Sequence, residues 1–395
     1  MRKIEVALPE NREPWLIPLH ERVKLFYQAK RQGKRLCLMV YDHADTSTFR
    51  YRCYNVMQWT RKSNLWQAVY FFRTEMEMVF DLLPEADILE LARLQWFLAI
   101  DSLIYKARTL HIPVLYEVDD YVVDLDLLPM LTNSIDVDFS VAGQYEYWFS
   151  YISRNGFTAG KADGFITTND YLGKRLEQKF GKPYQVIRNT LNQEQLEISE
   201  RCREHKRKLL ENPSQEDRYT IGYFSGSPSH NHDMVMIGEE LAAFLDEHRE
   251  VLLTVVGFMS FPACMQQSLK RQQVEFLPLT DFLNLQLLTA SVDLNIVPLL
   301  DNMFTNCKSE LKFFEAGAVN TLTLASPIWT YEHCIRHGKN GFLCKSGDWY
   351  EMLNMIYGKR DQMEKMIDSA REDSLRLYAG EQVIREIEET YNSFL

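Results

Sequence analysis

The chain has 395 residues, 46% of them hydrophobic and 12% aromatic, which suffices for a large core and favours two domains over one. Its formal charge of -11 argues against a general nucleic-acid binder, because phosphate backbones are held by clustered Lys and Arg; a local basic pocket remains compatible with it. Seven cysteines, at 37, 53, 202, 264, 307, 334 and 344, contain no CxxC pair, so neither a disulfide framework nor a structural zinc site is suggested and a reducing cytoplasm fits best.

The N-terminal "MRKIEVALPENREPWLIPLHER" has no signal-type apolar core, and no apolar run approaches the roughly 18 residues of a membrane span, so a soluble chain is expected, with contact at a membrane surface left open. Six strand-like apolar runs then follow: "KRLCLMVYD" (34–42), "QAVYFF" (67–72), "ADILELAR" (86–93), "PVLYEVDD" (113–120), "GFITTN" (164–169) and "YQVIRNT" (184–190). Helical periodicity separates most of them, the rhythm of a parallel α/β sheet. The charged stretch 192–218 interrupts the rhythm, and its Asn-Pro-Ser turn signals a boundary. Strand-like runs resume with "YTIGYFSG" (219–226), "VLLTVVG" (251–257), "VEFLPL" (274–279), "VDLNIVPL" (292–299), "TLTLAS" (321–326) and "GFLCK" (341–345). The expected architecture is therefore α/β, with two Rossmann-like domains. The first spans 1–205, the second 206–375, and a C-terminal helix occupies 376–395, with packing back across the first domain one placement open to it.

Ligands of doubly wound sheets gather outside the carboxyl ends of strands, so the loops after strands should carry the chemistry. In "FSGSPSHNHD" (224–233) a strand gives way to a Gly/Ser turn and a helix; Ser225, Gly226 and Ser227 suit close approach of an anion, and the same residues also suit a plain connection. The stretch "KSELKFFEAG" (308–317) predicts a helix opening right after "NIVPLLDNMFTNC", with Lys308, Ser309, Lys312 and Glu315 on roughly one side. Lys308 and Lys312 one turn apart can reach one phosphate, and Glu315 can accept bonds from two neighbouring hydroxyls. The alternative is an amphipathic helix with an i,i+3 Lys312–Glu315 pair.

In "YDHADTSTFRYRCYN" (41–55), Arg50 and Arg52 alternate as if one face looks into the cleft, with His43 and Asp45 on the loop. Contact with a ligand and a solvated Asp–Arg pair are both open. Asp119 and Asp120 end a strand, an active-site location in such sheets, where they either contact a ligand or cap the next segment. Asp124 and Asp126 mimic a DxD motif, but no metal site is assigned there, nor a zinc site among the nine histidines. "QYEYWFSYISRNGF" (144–157) suits an aromatic acceptor-binding or membrane-facing surface, or a buried inter-domain helix.

"NCKSELKFFEAGAVNTLTLAS" resembles the donor-binding segment of GT-B glycosyltransferases of glycosyltransferase family 4. "GYFSGSPSHNHD" resembles the loop opening their second domain, "VIRNTLN" the end of the first, and "HGKNGFLCKSGD" the glycine-rich segment near the C-terminus. The resemblance is strongest over 219–357, and it implies that the two Rossmann-like domains face a central cleft. It implies that Glu315 binds the ribose of a nucleotide-sugar donor, that amides near Ser309, Glu310 and Leu311 hold the diphosphate, and that Gly226 lets the opposite loop close. Two departures stand out. Cys307 occupies the position of the family's other glutamate, which faces the donor sugar. The usual Arg and Lys after the first strand of the second domain are replaced by Ser227, His230 and His232, so Lys308 and Lys312 are expected to neutralise phosphate. In such an enzyme His43, Arg50 and Arg52 would contact donor phosphate or acceptor, and Asp119 and Asp120 would orient acceptor hydroxyls.

The resemblance thus implies a retaining transferase moving a sugar, a hexose or deoxyhexose, from a nucleotide-diphosphate sugar to a glycan, lipid-linked or protein-linked hydroxyl, without a metal, as in bacterial surface-glycan assembly. A non-catalytic nucleotide-sugar-binding module is the alternative. A nucleotide-dependent epimerase or dehydrogenase is disfavoured because the loop after the first strand has no glycine.

Overall fold

The computed structural model describes residues 3–134, 138–212, 214, 217–226 and 231–395. Two six-stranded, all-parallel sheets organise them. The first contains β1 (Arg35–Tyr41), β2 (Trp66–Phe72), β3 (Ile88–Ala92), β4 (Val114–Val118), β5 (Gly164–Thr167) and β6 (Tyr184–Val186) in the order β2-β1-β3-β4-β5-β6. The second contains β7 (Thr220–Ser225), β8 (Leu252–Gly257), β9 (Val274–Leu277), β10 (Leu294–Val297), β11 (Leu322–Ala325) and β12 (Phe342–Leu343) in the order β12-β11-β10-β7-β8-β9. Each strand falls on one of the apolar runs. The central strands are buried along nearly their whole length because helices cover both faces of a parallel sheet, which is why they are continuously apolar rather than alternating.

Both orders contain a reversal, between β1 and β3 in the first sheet and between β7 and β10 in the second, and loops diverge there to leave a crevice. Two elements join the halves. The charged stretch after β6 is a helix, Gln193–Glu211, opened by an Asn192–Gln195 capping box. It runs through residue 205 and buries Ile198, Ser199, Cys202 and Lys206. The Lys206 ammonium donates to the Val292 and Asn320 carbonyls at 2.8 and 3.0 Å, tying this helix to the second half. At the C-terminus, the helix Glu381–Asn392 buries Val383, Ile387 and Tyr391 in the core of the first sheet.

The aromatic segment forms part of the helix Ala142–Lys161, which is not the buried inter-domain helix of one alternative: Tyr145, Tyr147, Phe149 and Phe157 are exposed. Its buried residues are Ile152, Asn155, Thr158 and Ala159. Among the described residues no helix is long and apolar enough to cross a membrane.

Candidate functional site

The stretch 307–315, after β10, meets segments of the first half that follow β1, β5 and β6. A short helix, Met303–Asn306, capped by Asn302, ends at Cys307. The next helix begins only at Leu311 and runs to Ala318. Lys308 and Ser309 therefore lie in the connection, and Lys308 and Lys312 are not one turn apart on a single helix as expected. The connection is held by hydrogen bonds from the first half. Asn169, after β5, donates to the Cys307 and Lys308 carbonyls at 3.2 and 3.0 Å. Asn189, after β6, donates to Ser309 Oγ at 2.8 Å. The Lys308 ammonium stands 3.9 Å from Asp120 and over the Phe304 ring. Among the described residues the Ser309 and Leu311 amides meet no acceptor, the condition in which a helix start can take an anion.

Lys312 is half-buried, its ammonium 5.6 Å from the centre of the Tyr223 ring. Burial pulls its pKa down to about 8; Asp233 opposes the shift, Lys308 adds to it and Glu315 opposes it. Glu315 Oε1 accepts from the Tyr51 hydroxyl and, at 2.9 Å, from Gln195 Nε2, with the Arg50 guanidinium 3.8 Å away. The i,i+3 pair with Lys312 is thus replaced by partners from distant segments.

Arg50 and Arg52 belong to one wide helical turn, Arg50–Tyr54, so they do not alternate like strand residues on one cleft face. Arg50 turns toward Glu315 and donates to Gln195 Oε1 at 2.9 Å. Arg52 turns into the first half, pairs with Glu117 at 2.5 Å and donates to Asn189 Oδ1 at 2.9 Å. It acts on the candidate site through Asn189 and Ser309. His43 sits at the exposed rim, its ring 3.3 Å from the Asp42 carboxylate, away from this cluster.

Asp119 accepts from Arg93 at 2.9 Å and from Thr48 Oγ1 at 2.9 Å, while Asp120 stands between Arg93, at 3.4 Å, and Lys308. The cap on the following turn is Asp124, which takes the Asp126 amide and pairs with Lys179 at 2.7 Å.

Three further parts of the expected site are placed as follows. The Glu310 carboxylate, raised in pKa by burial, takes the Tyr378 hydroxyl at 2.7 Å and lines a cavity of about 780 Å³ with Asn169, Arg188, Trp329 and His333. Only its backbone belongs with the helix start. Cys307 is fully buried, and burial pushes its thiol pKa up, so nothing ionised faces the crevice from that position. Ser225 is buried at the end of β7 and Gly226 exposed beyond it, whereas Ser227 and His230 lie outside the described residues.

Tyr51, Gln195, Arg93, Asn169 and Asn189 had no part in the expected site. Only Gln195 carried a signal, the capping box with Asn192; the others are ordinary side chains until the fold brings them to the junction.

No family model and no curated protein sequence matches the chain. Solved structures do match, over nearly its whole length. They include Anabaena HepE in complex with UDP and glucose, at 14% identity and a TM-score of 0.59, covering 91% of this chain and 100% of that one. A glycosyltransferase from Rickettsia africae matches at 13% identity and 0.61, with 92% and 99% covered. Sucrose-phosphate synthase from Thermosynechococcus elongatus matches at 13% and 0.55, with 91% and 99% covered. At such identities the likeness is one of fold, and together with the two facing parallel sheets it gives this chain the GT-B fold.

Proposed function

We propose that the protein is a glycosyltransferase that takes a hexose or deoxyhexose from a nucleotide-diphosphate sugar and transfers it to an acceptor hydroxyl. The observation that carries this is the convergence of Lys308, Lys312, Glu315 and the unpaired Ser309 and Leu311 amides between the two sheet reversals. HepE, matched over 91% of this chain, was crystallised with UDP and glucose, which supports a nucleotide sugar as the donor.

In this reading Glu315 accepts a ribose hydroxyl and the helix start receives the diphosphate. Lys308, Lys312 and the amides stabilise the charge that develops on the leaving group, and no metal is assigned to that task. Asp119 and Asp120, braced by Arg93, orient the acceptor hydroxyl, which enters on the face the diphosphate leaves, with retention. Residues from both halves enclose the donor and limit hydrolysis. The acceptor is a glycan or a lipid-linked or protein-linked sugar of surface-glycan assembly, reached in the cytoplasm; the exposed aromatics of the Ala142–Lys161 helix suit peripheral contact with a membrane.

The buried Cys307, in place of an acidic group, favours a second reading, a nucleotide-sugar-binding module without turnover. Thermal-shift and calorimetric titration with UDP, GDP, TDP and CMP, on wild type and Glu315→Ala, tests the site. One nucleoside diphosphate should stabilise the wild type and lose its effect in the variant. Binding to both alike, or to neither, removes the donor-site assignment. Binding of the matching sugar nucleotide with neither transfer nor slow hydrolysis leaves the binding module.

A further inference from the structure

The cavity beside the helix start carries a charge that nothing in its wall balances. Five carboxylates line it, Asp170, Glu177, Glu310, Glu386 and Glu389, against a single arginine, Arg188. Asp170, Glu177 and Arg188 come from the first half, Glu310 from the second, and Glu386 and Glu389 from the helix Glu381–Asn392. At about 780 Å³ the space has the size of a small-molecule site.

Arg188 is neutralised by Glu386 at 2.5 Å. The carboxylates of Glu177 and Glu389 are exposed and have neither a cation nor a hydrogen-bond donor among the described residues. Burial raises the pKa of Glu310 and of Glu386; Arg188 opposes the rise at Glu386 and Glu310 adds to it, so the wall is short of positive charge. Trp329 lines the same cavity, its ring stacked on His333 at 3.8 Å, and the buried Thr168 hydroxyl, also in the wall, meets no partner among the described residues. An indole ring, unpaired carboxylates and a free hydroxyl oxygen are groups that an ammonium binds.

The carboxylates stand at two depths, Glu310 and Glu386 covered and Asp170, Glu177 and Glu389 exposed. Among the described residues no three acidic, histidine or cysteine side chains gather closely enough to hold a metal ion. The negative charge repels a phosphate or a nucleotide, and a neutral sugar would leave it unbalanced. We propose that this cavity binds an organic polycation, a linear di- or polyamine whose ammonium groups meet carboxylates at both depths while its chain lies against Trp329. Such a ligand is held by both halves and the C-terminal helix at once. The proposal goes beyond the donor site and does not use it.

The test is calorimetric titration of the full chain with spermidine at about 0.15 M salt, where attraction to a chain of charge -11 is screened beyond about 8 Å. Spermidine should saturate a single site per chain, and magnesium at the same concentration should not displace it. Glu389→Lys, at an exposed position of the wall, should weaken binding about tenfold or more. Glu239→Lys changes the net charge equally but lies on the helix Asn231–Glu247, outside the wall, and should stay within about twofold of wild type. Trp329→Leu, which keeps every carboxylate, should weaken binding about threefold or more. No saturable binding, equal effects of the two charge reversals, displacement by magnesium, or binding of maltose in place of spermidine overturns the proposal. None of these titrations contains a nucleotide, so their failure leaves the donor-site reading standing, and failure of that reading leaves this one.

Discussion

Lys312 is placed where its charge depends on what else is present. With burial pulling its pKa to about 8, a bound diphosphate favours the protonated form and pulls it back up. Donor affinity should therefore fall as pH rises above about 8. Titrations near pH 8 in buffers of different ionisation enthalpy should show uptake of about half a proton per donor bound, lost in Lys312→Met. The stability effect has the opposite sense. The folded pKa lies below the ordinary 10.5, so the unfolded chain binds more protons between pH 8 and 10.5, and this residue's contribution to stability improves as pH rises through that window. Lys312 and Glu315 were legible from their spacing near the start of one helix. Tyr51 and Gln195 were not, because they stand 264 and 120 positions from Glu315 and no local pattern connects them.

At the scale of elements, the C-terminal helix is docked through a buried acid. Glu90 on β3 accepts from the Tyr391 hydroxyl at 2.9 Å, and burial raises its pKa from 4.5 to about 7, with Tyr391, Arg52 and Cys37 opposing the rise. The folded state holds a proton that the unfolded chain releases, so the stability this contributes is complete below pH 4.5 and is lost as pH rises through about 7. Glu90→Gln should flatten that slope and, at pH 8, raise unfolding free energy by up to about 3 kcal/mol in urea titrations. A second prediction concerns the turn after β8. Gly257 has φ +102°, and a Cβ there would lie 1.8 Å from the Ser225 carbonyl oxygen at the end of β7. Gly257→Ala should cost at least about 2 kcal/mol and disturb the loop opening at Gly226. Among the described residues a Cβ at Gly226 meets no heavy atom within 4 Å, and Gly226→Ala should stay within about 0.5 kcal/mol of wild type. The glycine that the strand end requires is thus the one closing "VLLTVVG", which no motif marked.

For the whole molecule, the junction is a set of hydrogen bonds across the halves: Asn169 to the Cys307 and Lys308 carbonyls, Asn189 to Ser309, and Asp120 facing Lys308. Asn169 also caps the helix Asp170–Phe180 through the Leu172 amide. Asn169→Asp keeps that cap but turns an acceptor toward two carbonyls. It should loosen the junction while the first half stays folded, seen as a larger radius of gyration in small-angle scattering and about tenfold weaker nucleotide binding. Unchanged scattering and binding would mean that the apolar contacts around Tyr51 hold the halves together without these bonds.

The twelve strands and the division into two parallel sheets followed from the sequence by itself, because a strand buried on both faces must be apolar along its length and such runs are visible without neighbours. The position of Glu315 on a helix after a strand was equally local. Tertiary structure decided the partners: which oxygen of Glu315 is occupied, where Arg50 and Arg52 point, that Cys307 is sealed, and that the charged helix after β6 clasps the second half through Lys206. Those are contacts between segments far apart in the chain, fixed by sheet order and side-chain packing, and strand and helix periodicities carry no information about either.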